Sequence, residues 1–275
     1  MQSINQHKVM RKIVFTFAVA SLAWNGFAAP VLTKHEEAYQ KGEKEFFAGN
    51  YEEALKYFNT AISEAQDRYK YFYMRALANK QMELTEEAIA DFSRAIRLKP
   101  TPEALYERGI LHLGNGDMDA AKSDFEDVKI SKDNFKNIQY YLGLVYYRAG
   151  IFDHALQAFN RYINATGGDG DTYYYKGLAH ASMKHYDEAI NDLNKALPYK
   201  KNNLLIHVKL YELYIQTNQP EKAVENLSAM INLSPVNKRS ELYMERSLLY
   251  GQLGDIEKSN ADRLKSKETA VAMFN

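Results

Sequence analysis

EEAIADFSRAIRLKP, residues Glu86 to Pro100, carries an alanine at 88, a phenylalanine four residues later at 92, and a closing proline. Its opening acids, Glu86 and Glu87, suit the positive end of a helix and need no catalytic role to explain them. YEEALKYFNTAI (Tyr51 to Ile62) and YDEAINDLNKAL (Tyr186 to Leu197) share the pattern. The small residue is in fact periodic: Ala54, Ala88, Ala121, Ala155, Ala189 and Ala223 recur at spacings of 34, 33, 34, 34 and 34. Four positions after each stands a large apolar residue, Phe58, Phe92, Phe125, Phe159, Leu193 and Leu227. Twelve positions before lie Gly42, Ala76, Gly109, Gly143, Gly177 and, as the exception, Tyr211. Small residues let two helix backbones approach, and the large residue fills the space beside them. A period of this length signals a repeat architecture.

The register resembles the tetratricopeptide repeat, a helix–turn–helix unit of 34 residues, with prolines at the family's usual closing place at Pro100 and Pro235. Six units run 35–68, 69–101, 102–135, 136–169, 170–203 and 204–237, and a degenerate seventh spans 240–273, with Ser259 where the alanine would be. The resemblance implies an all-α fold, a right-handed superhelical solenoid of antiparallel helix pairs in which each unit buries its apolar face only by stacking on its neighbours. Gly49-Asn50, Asn115-Gly116-Asp117, Gly150 and Gly254-Asp255 fall between first and second helices, where a left-handed residue is wanted. The stretch NATGGDGD (Asn164 to Asp171) reads as a flexible joint; it lacks the spacing and closing glutamate of a calcium loop.

Before the array, Lys8, Arg11 and Lys12 precede an apolar run from Ile13 to Trp24 and then Gly26-Phe27-Ala28-Ala29. That order is a signal peptide over residues 1–29, cleaved after Ala28 or Ala29, with Met10 as an alternative start. The expectation is an exported protein, periplasmic or secreted, in a bacterial envelope, with the solenoid over 30–275 and no membrane span after cleavage. The alternative is an anchor formed by the uncleaved segment. Lys+Arg 35 and Asp+Glu 35 cancel in the full chain, and cleavage leaves 32 basic against 35 acidic groups, a net −3. Export and mild acidity argue against a nucleic-acid partner. With no cysteine, disulfide frameworks, thiol catalysis and cysteine-ligated metal sites are excluded.

In the family, positions 2, 5, 9 and 12 of each first helix face the concave groove, and the resemblance places functional residues there. Position 5 reads Tyr39, Tyr73, Tyr106, Tyr140, Tyr174, Val208 and Met244. This tyrosine ladder serves either as groove anchors or as packing between helices, since tyrosine suits both. Position 9 reads Glu43, Leu77, Ile110, Leu144, Leu178, Glu212 and Leu248; position 12 adds Phe46, Lys80, Leu113, Tyr147, Ala181, Ile215 and Gly251. Position 2, with Glu36, Glu103, Asp171 and Glu241 against Lys70, points to basic side chains on a partner. Some relatives hold a partner's terminal carboxylates with a lysine and an asparagine in the first unit; here those places are Tyr39 and Glu43.

The expected function is therefore a non-enzymatic adaptor that binds an apolar, basic peptide or helix of another protein along Tyr39, Tyr73, Tyr106, Tyr140, Tyr147 and Tyr174, with Glu103 and Asp171 selecting basic groups. Two alternatives stand beside it: a glycan stacked on exposed tyrosines, and self-assembly as a homodimer through AVAMFN (Ala270 to Asn275). No catalytic residues, metal ligands or cofactors are expected. The seven histidines form no His-Glu-x-x-His motif, and His180 and His185 are roughly 140° apart around a helix.

Overall fold

The computed structural model describes residues 32–131, 135 and 137–271; the expected signal peptide and the end of AVAMFN lie outside them. Every regular element among the described residues is helical, and the 34-residue register becomes a series of antiparallel helix pairs. The chain divides into two compact units between Gln66 and Asp67, not at the joint expected near Asn164.

The first unit holds one pair, α1 (Lys34–Ala48) and α2 (Tyr51–Glu64). Thr33 and Glu36 form a capping box at the start of α1, where the Thr33 backbone N–H donates to the Glu36 carboxylate at 2.9 Å. Gly49, at φ 87°, closes the helix in the left-handed region.

The second unit holds α3 (Tyr69–Gln81) and α4 (Thr85–Leu98), α5 (Pro102–Asn115) and α6 (Met118–Ser131), α7 (Ile138–Arg148) and α8 (Phe152–Thr166), and α9 (Gly170–Ser182) and α10 (Tyr186–Ala196). It continues with α11 (Leu204–Gln216) and α12 (Pro220–Leu233), a 3-10 turn (Val236–Lys238), and α13 (Arg239–Gln252) with α14 (Ile256–Val271). Odd helices are the first and even helices the second of each pair. Local chemistry sets the starts: Thr101 accepts from the Ala104 N–H with Pro102 in the first helical position, and Asp169 accepts from Thr172. The glycine-rich stretch is thereby short and ordered, because α8 runs to Thr166 and the Asp169 cap starts α9 one residue later.

The core is the repeat pattern made solid. Ala88, Ala121, Ala155, Ala189 and Ala223, with Phe92, Phe125, Phe159, Leu193 and Leu227, are all fully buried. A glycine in a first helix sits where a side chain would meet the large residue of its own pair: a Cβ on Gly143 would stand 2.4 Å from the Phe159 ring, and one on Gly109 2.7 Å from Phe125. The degenerate last pair keeps the same geometry with polar chemistry. Ser259 donates to the Ser247 carbonyl at 2.8 Å, and Arg263, in the phenylalanine's place, donates to the Ser247 hydroxyl at 3.3 Å.

The turns add a finding. A left-handed residue recurs in every pair: Gly49, Glu83, Gly116, Gly150, Lys184, Asn218 and Gly254. The glycines were legible as turn residues, but Glu83 at φ 60° and Lys184 at φ 62° bear side chains where glycine is least strained. Repeat geometry overrides local preference there.

Candidate functional site

Helical geometry puts positions 2, 5, 9 and 12 within a sector of about 80° at 100° per residue. From α3 to α9 those sectors lie side by side, because the first helices touch one another. Lys80 of α3 pairs with Glu107 of α5 at 2.6 Å, and the Tyr106 and Tyr141 rings of α5 and α7 stand 5.4 Å apart. Arg148 of α7 reaches back to the Leu113 carbonyl at 2.9 Å, and Tyr147 meets Tyr175 of α9 at 5.7 Å. Val208 and Tyr211 of α11 and Leu242 and Tyr250 of α13 pack on one shared core cluster.

The ladder tyrosines of the second unit lie at the seam between this face and the core. Tyr73, Tyr106 and Tyr140 each pack on the large residue of their own pair, Phe92, Phe125 and Phe159, with centroids 5.7, 6.3 and 6.3 Å apart. Tyr106 is only 6% exposed and is wedged against Phe135 and Tyr141 as well, so it is a core residue with little surface to offer a partner. Tyr73, Tyr140, Tyr147 and Tyr174 are half-buried. Two strings of rings result, Tyr106–Tyr141–Tyr140 and Tyr147–Tyr175–Tyr174. Burial pushes the hydroxyls of Tyr73, Tyr106, Tyr140, Tyr147 and Tyr174 above the ordinary phenol value, with neighbouring Glu107 and Glu103 adding to Tyr73 and Asp171 to Tyr140. They stay neutral hydrogen-bonding groups at any physiological pH. Tyr39 belongs to the first unit, where its hydroxyl donates to Glu43 at 2.8 Å and its ring lies 6.0 Å from Phe58.

Of the two acids expected to select basic groups, Glu103 is exposed at the start of α5. Asp171 is already engaged by Lys200 of the same chain at 2.6 Å. His180 and His185 come closer than their angular separation suggested, with rings 5.9 Å apart, because His185 sits in the turn beyond the helix. Among the described residues, no group of three or more potential metal ligands forms, and no helix is long and apolar enough to cross a membrane.

Two features escaped the sequence reading. The first is a buried ion pair within four of the helix pairs: Arg75–Asp91, Arg108–Asp124, Lys176–Asp192 and Arg246–Asp262, at 2.6, 2.6, 2.9 and 2.6 Å. Its signal was available, an acid three residues after the repeat alanine and a base just before the small residue of the first helix. Arg108 and Arg246 also donate to Ser93 and Ser228 of the preceding second helix, at 2.9 and 2.7 Å, so one side chain ties three helices together. The second is where apolar surface is exposed. Along the groove positions it concentrates on α11 and α13, at Leu205, Ile215, Met244 and Leu248, 63, 41, 39 and 55% exposed, beyond the tyrosines.

The register of small and large residues and the helix pairing are those of one family, and tetratricopeptide-repeat models match residues 39–101, 73–134, 106–171 and 170–203, more than half of the sequence. The chain belongs to the tetratricopeptide-repeat family. Its all-α solenoid of paired helices is shared by a tetratricopeptide-repeat protein from Cytophaga hutchinsonii, which superposes with a TM-score of 0.67 at 17% identity over 85% of this chain and 94% of that one. YrrB, described as a tetratricopeptide-repeat protein with an unusual peptide-binding site, superposes at 0.57 with 21% identity over 65% of this chain and 92% of its own. In sequence, the chain is 27% identical over 89% of its length to DnaJ homolog subfamily C member 3 of Gallus gallus, of which it spans 44%. The chain thus covers about half the length of the curated relatives it matches along most of its own. Tetratricopeptide arrays are protein-interaction scaffolds.

Proposed function

We propose that the protein is a non-enzymatic adaptor that holds a peptide or helix of another protein against the first helices of its second unit, after export from the cytoplasm. The observation that carries this reading is the face formed by the touching first helices from α3 to α9, lined by half-buried aromatic rings. Half-buried tyrosines suit a peptide site because each offers an apolar ring at low entropic cost with a hydroxyl for hydrogen bonding. YrrB, with the same fold, supports peptide binding as a use of the scaffold. The export part rests on the basic, apolar and small-residue order of residues 1–29.

Because Tyr106 is a core residue, it is the wrong probe for binding. The informative variant is Tyr174→Ala with Leu178→Ala, on two half-buried side chains one turn apart. It is expected to lower capture of the partner from an envelope extract while circular dichroism and melting temperature stay near wild type. Undiminished capture would remove this stretch of α9 from the site. Self-assembly is a second reading with a specific observation behind it. Ser93, Glu126, Asn194 and Ser228 hydrogen-bond the following first helix, and at the same place in α14 stands Leu264, 59% exposed. A light-scattering mass that halves on Leu264→Glu would favour it, and a monomeric wild type would exclude it.

A further inference from the structure

In three of the four buried ion pairs the base is an arginine that reaches both oxygens of its aspartate. Arg75, Arg108 and Arg246 do so at 2.8 and 2.6, 2.9 and 2.6, and 2.6 and 2.8 Å. A guanidinium spans a carboxylate in this way, whereas a lysine is a point charge. In the fourth, between α9 and α10, the base is Lys176, whose ammonium stands 2.9 Å from Asp192 Oδ2. The other oxygen, Oδ1, is buried with no hydrogen-bond partner among the described residues, and the half-exposed Lys195 stops 3.8 Å away. Position 11 of the first helix differs in the same direction. In α3 it is Asn79, whose side-chain amide donates to Asp91 at 3.1 Å and completes that pair. In α9 it is His180, whose Nε2 lies 3.7 Å from Asp192 Oδ2 and whose buried Nδ1 has no partner among the described residues. Two orphaned buried polar atoms make this the least satisfied of the four pairs.

We propose that the α9–α10 pair is an acid-sensitive joint: protonation of His180 sets a second cation beside Lys176 against the single buried carboxylate of Asp192, and α9 loosens from α10. The charges around the imidazole are few. α9 itself supplies Lys176, and α10 supplies Asp192, the exposed Glu188 and Lys195. The turn between them supplies His185, with its ring 5.9 Å away. On the other side of α9, the second helix α8 carries the uncharged Asn160 at the register position from which Glu126 and Asn194 bond Tyr146 and Tyr214, the position-11 residues of α7 and α11. His154 of α8 packs instead on Tyr146 of its own pair, and α7 meets α9 on the groove side, through Tyr147 and Tyr175. Burial holds His180 below its ordinary 6.5 against the pull of Asp192. Opened helices let the imidazole take the proton that the closed pair resists, so a falling pH favours opening. From pH 7.5 to 5.5 the opening equilibrium can grow at most about 10-fold for an open-state value of 6.5. Tyr174 and Leu178 stand on α9, so on the adaptor reading above the joint also makes the hold on a partner acid-sensitive; the joint itself does not rest on that reading.

The test is hydrogen exchange of the full chain at pH 7.5 and 5.5, read by mass spectrometry and normalised for the intrinsic pH dependence of amide exchange. The reference is α3 and α4, where Arg75 and Asn79 complete the equivalent pair and neither helix holds a histidine. Peptides from α9 and α10 are expected to gain about 3- to 10-fold in exchange at the lower pH relative to that reference. His180→Asn, which copies Asn79, and the longer His180→Gln should each remove the gain, while His185→Gln should keep it. An equal pH response in the two helix pairs overturns the inference. So does a gain that survives both His180 variants, or one that disappears with His185→Gln. No partner enters this assay, so the joint and the adaptor reading fail separately.

Discussion

Asp124 is the residue whose removal most sharply tests the physical account of the array. Its carboxylate is 3% exposed and takes two hydrogen bonds from Arg108, at 2.9 and 2.6 Å, while Arg108 is 21% exposed and also donates to Ser93. Asp124→Ala strands a largely buried guanidinium, which costs about 3 kcal/mol, at the lower end for buried pairs because a fifth of the arginine still reaches water. The chain itself supplies the control. In the next pair the same two places are occupied by Leu142 and Ala158, 2 and 4% exposed, so the fold accommodates an apolar solution there. Arg108→Leu with Asp124→Ala copies that solution and should lie within about 1 kcal/mol of wild type, since a buried ion pair is often replaceable by packed apolar groups. The assay is urea unfolding followed by both far-ultraviolet and tyrosine near-ultraviolet dichroism, because coincident transitions are what license a single free energy in a repeat array. With an m-value of about 2 to 3 kcal/mol/M, the single variant's midpoint should fall by about 1 to 1.5 M and the double variant's by less than about 0.5 M. A single variant within error of wild type, or a double variant as unstable as the single, would refute the reasoning.

Other expectations follow from the same contacts. Gly143→Ala places a Cβ 2.4 Å from Phe159 and should cost about 1 to 3 kcal/mol, readable as a lowered melting temperature, whereas the same change at Gly114, where a Cβ meets nothing within 4 Å, should not. Lys184→Gly relieves a left-handed residue at φ 62° and should stabilise by about 0.5 to 1 kcal/mol; destabilisation would mean the side chain makes contacts worth more than the strain. His180 is held below its ordinary value of 6.5 by burial, against the pull of Asp192 and Glu188 and with Lys176 and His185 reinforcing it. A histidine with a depressed folded-state value costs stability as pH falls below 6.5, because the unfolded chain binds the proton first. Wild type should therefore lose melting temperature from pH 7.5 to 5.5 more steeply than His180→Gln, and superimposable curves would remove His180 as the cause.

Much of the fold was written in the sequence because a repeat states its constraint many times. One alanine proves nothing, but Ala54 to Ala223 in register, each with its large partner four residues on, leaves one packing solution, and Phe159 against Gly143 shows why. The left-handed turns at Glu83 and Lys184 were hidden, since local propensity argues against them and only the register places them. The site was less legible. Tyrosine at position 5 has the same letter whether it faces a groove or a phenylalanine, and only burial separates Tyr106 from the half-buried Tyr174. Asp171 read as an acid for a partner because nothing in a linear sequence says that Lys200, nearly a full repeat away, folds onto it. The exposed side chains of Leu205, Ile215, Met244 and Leu248 stood in the same columns, but the pattern of tyrosines draws the eye away from them.

The most direct test of the central claim is photocrosslinking in living cells from a photoreactive residue at position 174, on the first-helix face of α9, and at Asp127, exposed on the second helix α6. The adaptor account predicts one dominant protein crosslinked from position 174, identified by mass spectrometry and absent from position 127. The same product from both positions, or none from position 174 in cells where the protein is folded and exported, would contradict it.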